Sequence, residues 1–571
     1  MLRKHEEMTA QRIPLDRLTW VRTAATAFAG SDVGGPAKRL CFSLCALMLG
    51  ISAMNVVNSY VGRDFMTAIE QRDFSQFGWM ALLYAAVFSV STLLAVFFRF
   101  SEERLGLLWR QWLTRLLVLD YLGLGTPYRL REQGEVDNPD QRIADDVRTF
   151  TTTTLSFVLL LANGTITIVA FSGVLWSISP GLFAVAVAYA AAGSLVAVRL
   201  GRPLIGLSFT QSDREASFRA DLVHVRANAD SVALLRREGR LRTRLLRRVD
   251  ALTANARRII AVNRNLSFFT TGYNFLIQII PALIVGPLFM RGEVEFGVIT
   301  QSAMAFSHLI GAFSLIVTQF QSISSYAAVL TRLRSLSEGM REAASASPIE
   351  IVVEPDGRVA CEHLTLRSPV DDRVLIADLD VVIPFGTRLL VAGPNHAAKV
   401  ALFRATAGVW SAGEGRITLP ASDQILFVAE RPYLPPGTLR EVLRTGHEVD
   451  HSDARILTVL GSLGLDAAVE RVGGLDVERD WDNLLALGEQ QLVVIARLVL
   501  AAPRFGLLHR IDTTLNHEQV ARTLSLLSDA SITAIVFGEG DGLDGLYDAL
   551  LRLRADGSWS FVPAIGERAA E

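Results

Sequence analysis

Lysine is almost missing from this chain: Lys4, Lys38 and Lys399 stand against 53 arginines in 571 residues. Where the polypeptide otherwise uses the planar guanidinium, a lysine marks a place that wants a compact, strongly hydrated ammonium. Cysteine is equally sparse. Cys41 and Cys45 lie one helical turn apart in an apolar run and Cys361 is alone. That excludes a disulfide framework, and with no histidine or cysteine ligands beside them the three read as small packing residues, so no metal is expected. A net charge of −2 gives no reason to expect a nucleic-acid partner. The amino terminus lacks the charged start, short apolar core and small-residue cleavage site of a secretory signal. Residues 1–39 read instead as a polar, arginine-bearing cytoplasmic helix region.

Apolar residues are what the chain has in excess. Half of it is hydrophobic and the mean hydropathy is +0.33, which implies a membrane portion. Runs long enough for about 30 Å of hydrocarbon, or about 20 helical residues, fall at 40–61, 78–98, 155–178, 181–200, 268–290 and 298–320. They predict six transmembrane helices within residues 40–335. Segment 101–150 carries seven arginines and segment 201–266 fourteen, against two in 63–77 and one in 291–297. The positive-inside rule then makes the two long segments, and with them both termini, cytoplasmic. Both segments have helical periodicity, so the spans are expected to continue well beyond the bilayer; a separate basic domain is the alternative.

A small-residue, polar stretch at 336–348 reads as a linker. Residues 349–571 then alternate short apolar segments, at 373–383, 388–392, 424–428, 504–508 and 533–537, with helical patterns. This is the signature of an α/β domain with partly buried parallel strands. The expected fold class is thus membrane α-helical with a C-terminal α/β domain.

Within that domain GPNHAAKVALF, residues 393–403, follows an apolar strand and opens a helix. The pattern G-x-x-x-x-G-K-[ST] cradles phosphate because a glycine-lined turn aims backbone N–H groups at it, lysine bridges its charge and Ser/Thr binds Mg²⁺. Gly393, Asn395 and Lys399 fit such a loop. Ala398 replaces the last glycine, so its Cβ is expected in the phosphate path; His396 replaces an inner one, where a positive φ would be strained; Val400 offers no oxygen. An ordinary strand-to-helix turn is the bland alternative.

The chain resembles the ABC transporter families whose membrane domain is of the peroxisomal (ABCD) and SbmA/BacA-like type, fused to one nucleotide-binding domain. The resemblance spans nearly the whole chain. It rests on LWRQWLTRLL, on YRLREQGEVDNPDQRIADDV, on IPALIVGPLFMRGEVEFGVITQSAMAF and, more weakly, on FRADLVHVRANADSVALLRREGR, where Asp230 stands for the usual glutamate. It implies an exporter-like bundle of six transmembrane helices and an ABC ATPase-like α/β domain, and it gives the segment 135–146, with Asn138, Pro139, Asp140, Gln141 and Arg142, a coupling role; helix capping is the alternative.

In the soluble half the outline holds and the chemistry departs. The family's Q-loop glutamine falls on Glu430, a carboxylate that could still bind Mg²⁺. The signature loop survives as LALGEQQ with Gly488, but its serine is Ala486. His509 takes the place of the Mg²⁺-associated aspartate, Arg510 that of the water-positioning glutamate, and Glu539 that of the switch histidine. No aromatic lies between 361 and 376 to stack on adenine.

Phosphoryl transfer depends on positioning and charge stabilisation, and losing one stabilising donor costs about 10²–10³ in rate. The expected outcome is a degenerate nucleotide-binding domain with no ATP hydrolysis, no bound Mg²⁺ and weak or absent ATP binding. The functional expectation is a transporter subunit for a peptide, lipid or cofactor-like solute. It works as a homodimer driven by another gradient or as the inactive half of a heterodimer, in a bacterial inner membrane. A non-transporting membrane scaffold is the alternative. Asn55, Asn58, Asn163, Asn274, Gln278, Gln301 and His308 lie within the spans and are cavity candidates, with helix–helix hydrogen bonding as the bland reading.

Overall fold

In lipid every backbone polar group must be satisfied within the protein, which a helix does inside its own segment, and apolar runs of about 20 residues have the length of such helices. The computed structural model describes residues 17–123, 126–133, 136, 138–236, 238–315, 319–344, 348–354, 357–444, 452–481, 484–539 and 545–563. Among the described residues, helix Arg17–Gly30 precedes five helices long and apolar enough to span a membrane: Gly34–Glu70, Phe74–Tyr121, Pro139–Ile178, Pro180–Ala227 and Glu238–Met290. The sixth expected run forms the 17-residue helix Gly297–Phe313. The 48 residues of Phe74–Tyr121 reach about 70 Å at about 1.5 Å per residue, far past the hydrocarbon, as the arginine-rich segments predict.

Local chemistry sets the helix starts. Asp73 accepts from the backbone N–H groups of Ser75 and Gln76, both at 3.0 Å, and Ser179 caps Pro180–Ala227 with proline in its first turn. Trp79, Leu82, Phe97 and Phe275 stay more than half exposed, as lipid-facing residues do. Inside, Phe171, Leu175, Leu182, Phe306 and Leu309 pack in one apolar cluster. Tyr189 and Tyr273 stack with centroids 4.3 Å apart, and each hydroxyl donates to the other residue's carbonyl, at 2.7 and 3.2 Å. Gly297 comes so close to the first span that a Cβ there would stand 1.9 Å from the Arg63 carbonyl oxygen.

The final helix of this part, Phe320–Ala344, runs through much of the expected linker 336–348. Strong helix formers and the Arg334–Glu338 pair one turn apart, at 2.9 Å, explain why. Residues 345–347 of that stretch lie outside the described ones.

The chain divides into two compact units. One comprises Met1–Gly123 with Gln133–Glu342, the other Leu124–Glu132 with Ala343–Glu571. The second is α/β. Its four-stranded sheet has the order β1 (Ile349–Val353), β5 (Gly413–Leu419), β2 (Val359–Arg367), β3 (Val374–Ile383). The six-stranded sheet runs β10 (Trp559–Pro563), β9 (Ala549–Leu553), β4 (Leu389–Ala392), β8 (Thr533–Phe537), β7 (Phe505–His509), β6 (Ile425–Val428). From β9 to β6 all pairs are parallel; only the β10 edge is antiparallel. Every residue of β4, β7 and β8 is buried, which is why these segments read as unbroken apolar runs rather than as alternating ones.

Helix Thr126–Gln133 belongs with this second unit. Arg129 donates to the carbonyl oxygens of Ala343 and, at 3.1 Å, of Gly408, while Arg404 lies over the Tyr128 ring and donates to its hydroxyl at 2.8 Å. These contacts were not legible in the sequence.

Candidate functional site

Parallel strands deliver their C-terminal ends to one edge of a sheet, where α/β proteins place ligands. Here β4 leads into Gly393, β6 into Glu430, β7 into His509 and Arg510, and β8 into Gly538 and Glu539. The residues singled out from the sequence at these four positions therefore do converge.

Gly393 has φ +131, and a Cβ on it would meet the Leu553 carbonyl oxygen at 2.0 Å, so only glycine fits. Asn395 caps the helix His396–Thr406: its Oδ1 accepts from the Ala398 N–H at 3.1 Å, and its Nδ2 donates to the carbonyls of Leu375 and Arg554. One helix N–H of the kind that would grip phosphate is thus already used. Two expectations are corrected. Ala398 does not push its Cβ into a phosphate path; it is fully buried in the apolar cluster below the loop. His396 is the first helical residue and is not among those with positive φ, so it carries no such strain. Val400 is the fifth residue of that helix, and its side chain has no oxygen to offer.

Lys399 is only 4% exposed, and its Nζ donates to the Gly538 carbonyl at 2.9 Å. Burial lowers its pKa against the pull of Glu539 and Asp512. The ammonium is thus tied to the loop after β8. That loop is fixed further by Gly538 N–H donating to Val391 O at 3.1 Å and Glu539 N–H donating to Asp512 Oδ2 at 2.7 Å. Asp512 was not anticipated; it sits in an unremarkable IDTT run and acquires its place only from the fold.

His509 ends β7, 7% exposed, stacked on Phe403 at 4.9 Å with its Nε2 buried and unpartnered. Burial pushes its pKa down to about 4, so the ring is neutral at physiological pH. Arg510 follows in the left-handed region at φ 52, its N–H donating to Phe537 O at 2.7 Å. Its guanidinium lies 3.5 Å from Glu430 and 3.7 Å from Glu539. Gln491 supports Glu430 from behind, Nε2 donating to the Glu430 carbonyl at 2.8 Å while its Oε1 accepts from the Thr514 hydroxyl.

Mg²⁺ takes oxygen donors in a near-octahedral shell. An imidazole stacked on phenylalanine and a valine side chain offer it no oxygen, and the Glu430 and Glu539 carboxylates lie beside the Arg510 guanidinium, so the donor set as it stands does not fit that ion.

In the signature segment Ala486 precedes helix Leu487–Ala501, and its N–H donates to Glu489 Oε2 at 2.9 Å; Arg471 pairs with Glu489 at 2.7 Å. Gly488 sits at the start of that helix, a Cβ there falling 3.4 Å from Thr514 O. Elsewhere in this unit the exposed His363 pairs with Asp378 at 2.9 Å and Asp380 at 3.3 Å, and these carboxylates raise its pKa.

The NPDQR segment starts helix Pro139–Ile178. Asn138 is left-handed at φ 48 and makes no side-chain cap; Glu135 and Asp137 lie outside the described residues. Asp140 and Gln141 sit in the first turn, and Arg142–Asp146 forms a π-helical turn. Arg142, buried, donates to Arg332 O at 3.0 Å and to Ser335 Oγ at 2.6 Å; Asp146, also buried, takes two hydrogen bonds from Arg332 at 2.7 and 2.6 Å. The motif thus grips helix Phe320–Ala344.

The cavity candidates are scattered. Asn163, Asn274 and Gln278 are exposed, Asn55 is half-buried, and His308 stacks on Phe171 at 4.5 Å. Asn58 Nδ2 is 3.9 Å from Met304 Sδ, while Gln301, 3% exposed, has an unpartnered Nε2, as Ser59 has an unpartnered Oγ.

Residues 33–290 match the family described as ABC transporter transmembrane region 2. Over 566 residues, 95% of this chain and 86% of the relative, the sequence is 33% identical to an uncharacterized ABC transporter ATP-binding protein of Synechocystis. It is 33% identical to the chloroplastic ABC transporter D family member 2 of Arabidopsis thaliana, over 89% of this chain and 82% of that one. With the lysosomal cobalamin transporter of Homo sapiens it shares 25% identity over 92% of each.

Proposed function

Given that the chain belongs to the ABC transporters, as a multi-pass half-transporter of the ABCD-like family, we propose that it moves a peptide, lipid or cofactor-like solute without hydrolysing ATP. The observation that carries this reading is Arg510. A fixed positive charge stands after β7, between Glu430 and Glu539, where phosphoryl transfer needs a group that orients water beside a metal. Lys399, the cation of the phosphate-loop pattern, donates to the Gly538 carbonyl. ATP binds weakly or not at all under this reading, and no catalytic step runs through Mg²⁺.

Such a subunit works either as the inactive half of a heterodimer with a related half-transporter or as a homodimer drawing on another source, such as a proton gradient. The name of the human relative makes a corrinoid a sensible first solute, with peptides next. Purified protein in lipid is expected to show no Mg²⁺-dependent ATP hydrolysis above background. Clear turnover that disappears in Lys399→Ala refutes the proposal. Uptake into vesicles, with and without a pH gradient, separates transport from a scaffold role, which gains if every solute fails.

A further inference from the structure

The positions of Glu430, Arg510 and Glu539 are related by the sheet itself. β8, β7 and β6 are adjacent and parallel. Glu539, Arg510 and Glu430 each follow the C-terminal end of one of these strands by one or two residues. The charges at this edge therefore alternate, negative, positive, negative, with the cation in the middle. Compared with the glutamine, glutamate and histidine that the family resemblance implies, each of the three has changed its charge. With histidine neutral, the sum over the set has not changed.

A guanidinium keeps its charge throughout the accessible pH range and can address two carboxylates at once with its fork of donors. Arg510 is placed to do so. Its backbone N–H is anchored on Phe537 O, its left-handed φ turns the chain at this point, and its side chain is only 24% exposed. Without it, Glu430 and Glu539 would lose the cation that both now lie beside, and next to Glu539 stands the Asp512 carboxylate, whose Oδ2 accepts from the Glu539 N–H and whose Oδ1 is buried without a partner. Such a group of hard oxygen donors attracts a divalent cation.

We infer that Arg510 is a resident counter-ion: it takes over from a divalent metal the task of holding the loops after β6 and β8 together, and by its charge it keeps such a metal out. The inference deepens the proposed function and rests on the same site, but it concerns what closes the site rather than whether ATP is split.

Mn²⁺ is the probe, its binding to the full-length protein in detergent micelles followed by electron paramagnetic resonance. Wild type is expected to bind no Mn²⁺ that depends on Glu430. Arg510→Gln should gain about one bound Mn²⁺ per chain, at least about tenfold tighter than any binding to wild type, and the double variant Arg510→Gln/Glu430→Gln should lose it again. Arg510→Lys, which keeps the charge, should behave as wild type. Arg510→Met, which keeps the stem, reads out the same gain if the glutamine variant does not fold. Wild-type binding of Mn²⁺ abolished by Glu430→Gln overturns the inference, and so does the absence of any gain in the neutral variants, whatever happens to their stability. Mg²⁺-ATP turnover by wild type refutes the proposed function separately, because Mn²⁺ binding is measured without nucleotide.

Discussion

Replacing His509 by phenylalanine should make the soluble unit resistant to mild acid. The imidazole is 7% exposed, lies on the Phe403 ring and leaves Nε2 without a partner. Burial is the largest influence and lowers its pKa, Glu430 pulls the other way, and His396, Arg510 and Arg404 each add a smaller repulsion. Protons therefore bind the unfolded chain, near pH 6.5, before they bind the folded one, near pH 4. Stability contributed by the neutral ring is complete above pH 6.5 and is lost as the pH falls toward 4. Between pH 7 and pH 5 that separation amounts to about 2 kcal/mol. A unit of this size then loses roughly 4–8 °C in melting midpoint. The assay is the midpoint of the full chain in detergent, followed by a probe on the soluble unit, across this range. His509→Phe keeps an aromatic ring against Phe403 but cannot titrate, so its midpoint should fall less by that amount. If both proteins lose stability equally with acid, the ring is not buried neutral and the reasoning fails.

Gly393→Ala puts a Cβ 2.0 Å from the Leu553 carbonyl at a φ of +131, and should cost about 3 kcal/mol or more; chemical denaturation measures it, and a near-neutral result means the turn is not as described. Asp146→Asn leaves the half-exposed Arg332 without its bidentate partner and should destabilise the membrane unit by about 1–2 kcal/mol, less than a fully buried pair because Arg332 retains water; a thermal scan in detergent that does not distinguish it from wild type would count against the clamp.

The spans were legible because hydrocarbon demands long apolar helices, and β4, β7 and β8 because strands buried on both faces admit no polar alternation. β2 and β5 escaped notice since VACEHLTLR and GEGRITL interrupt their apolar residues with charged ones. Lys399 and Gly393 could be picked out from spacing alone. That Lys399 is tied to Gly538, and that Arg510 finds two glutamates, could not, because both depend on strand order. NPDQR stood out as a motif, yet its grip on residues 332 and 335 joins segments about 190 apart and depends on a π-helical turn that no local pattern announces.

Helix Thr126–Gln133 makes the soluble unit discontinuous in sequence, and this bears on how it can be handled in isolation. A fragment cut at residue 343 would omit Leu124–Glu132, leaving Arg404 without the Tyr128 ring and the carbonyls of Ala343 and Gly408 without Arg129. Part of the surface such a fragment shows to solvent would thus be a wound rather than a native face. The nine missing residues, supplied as a separate peptide, are the natural dressing for it.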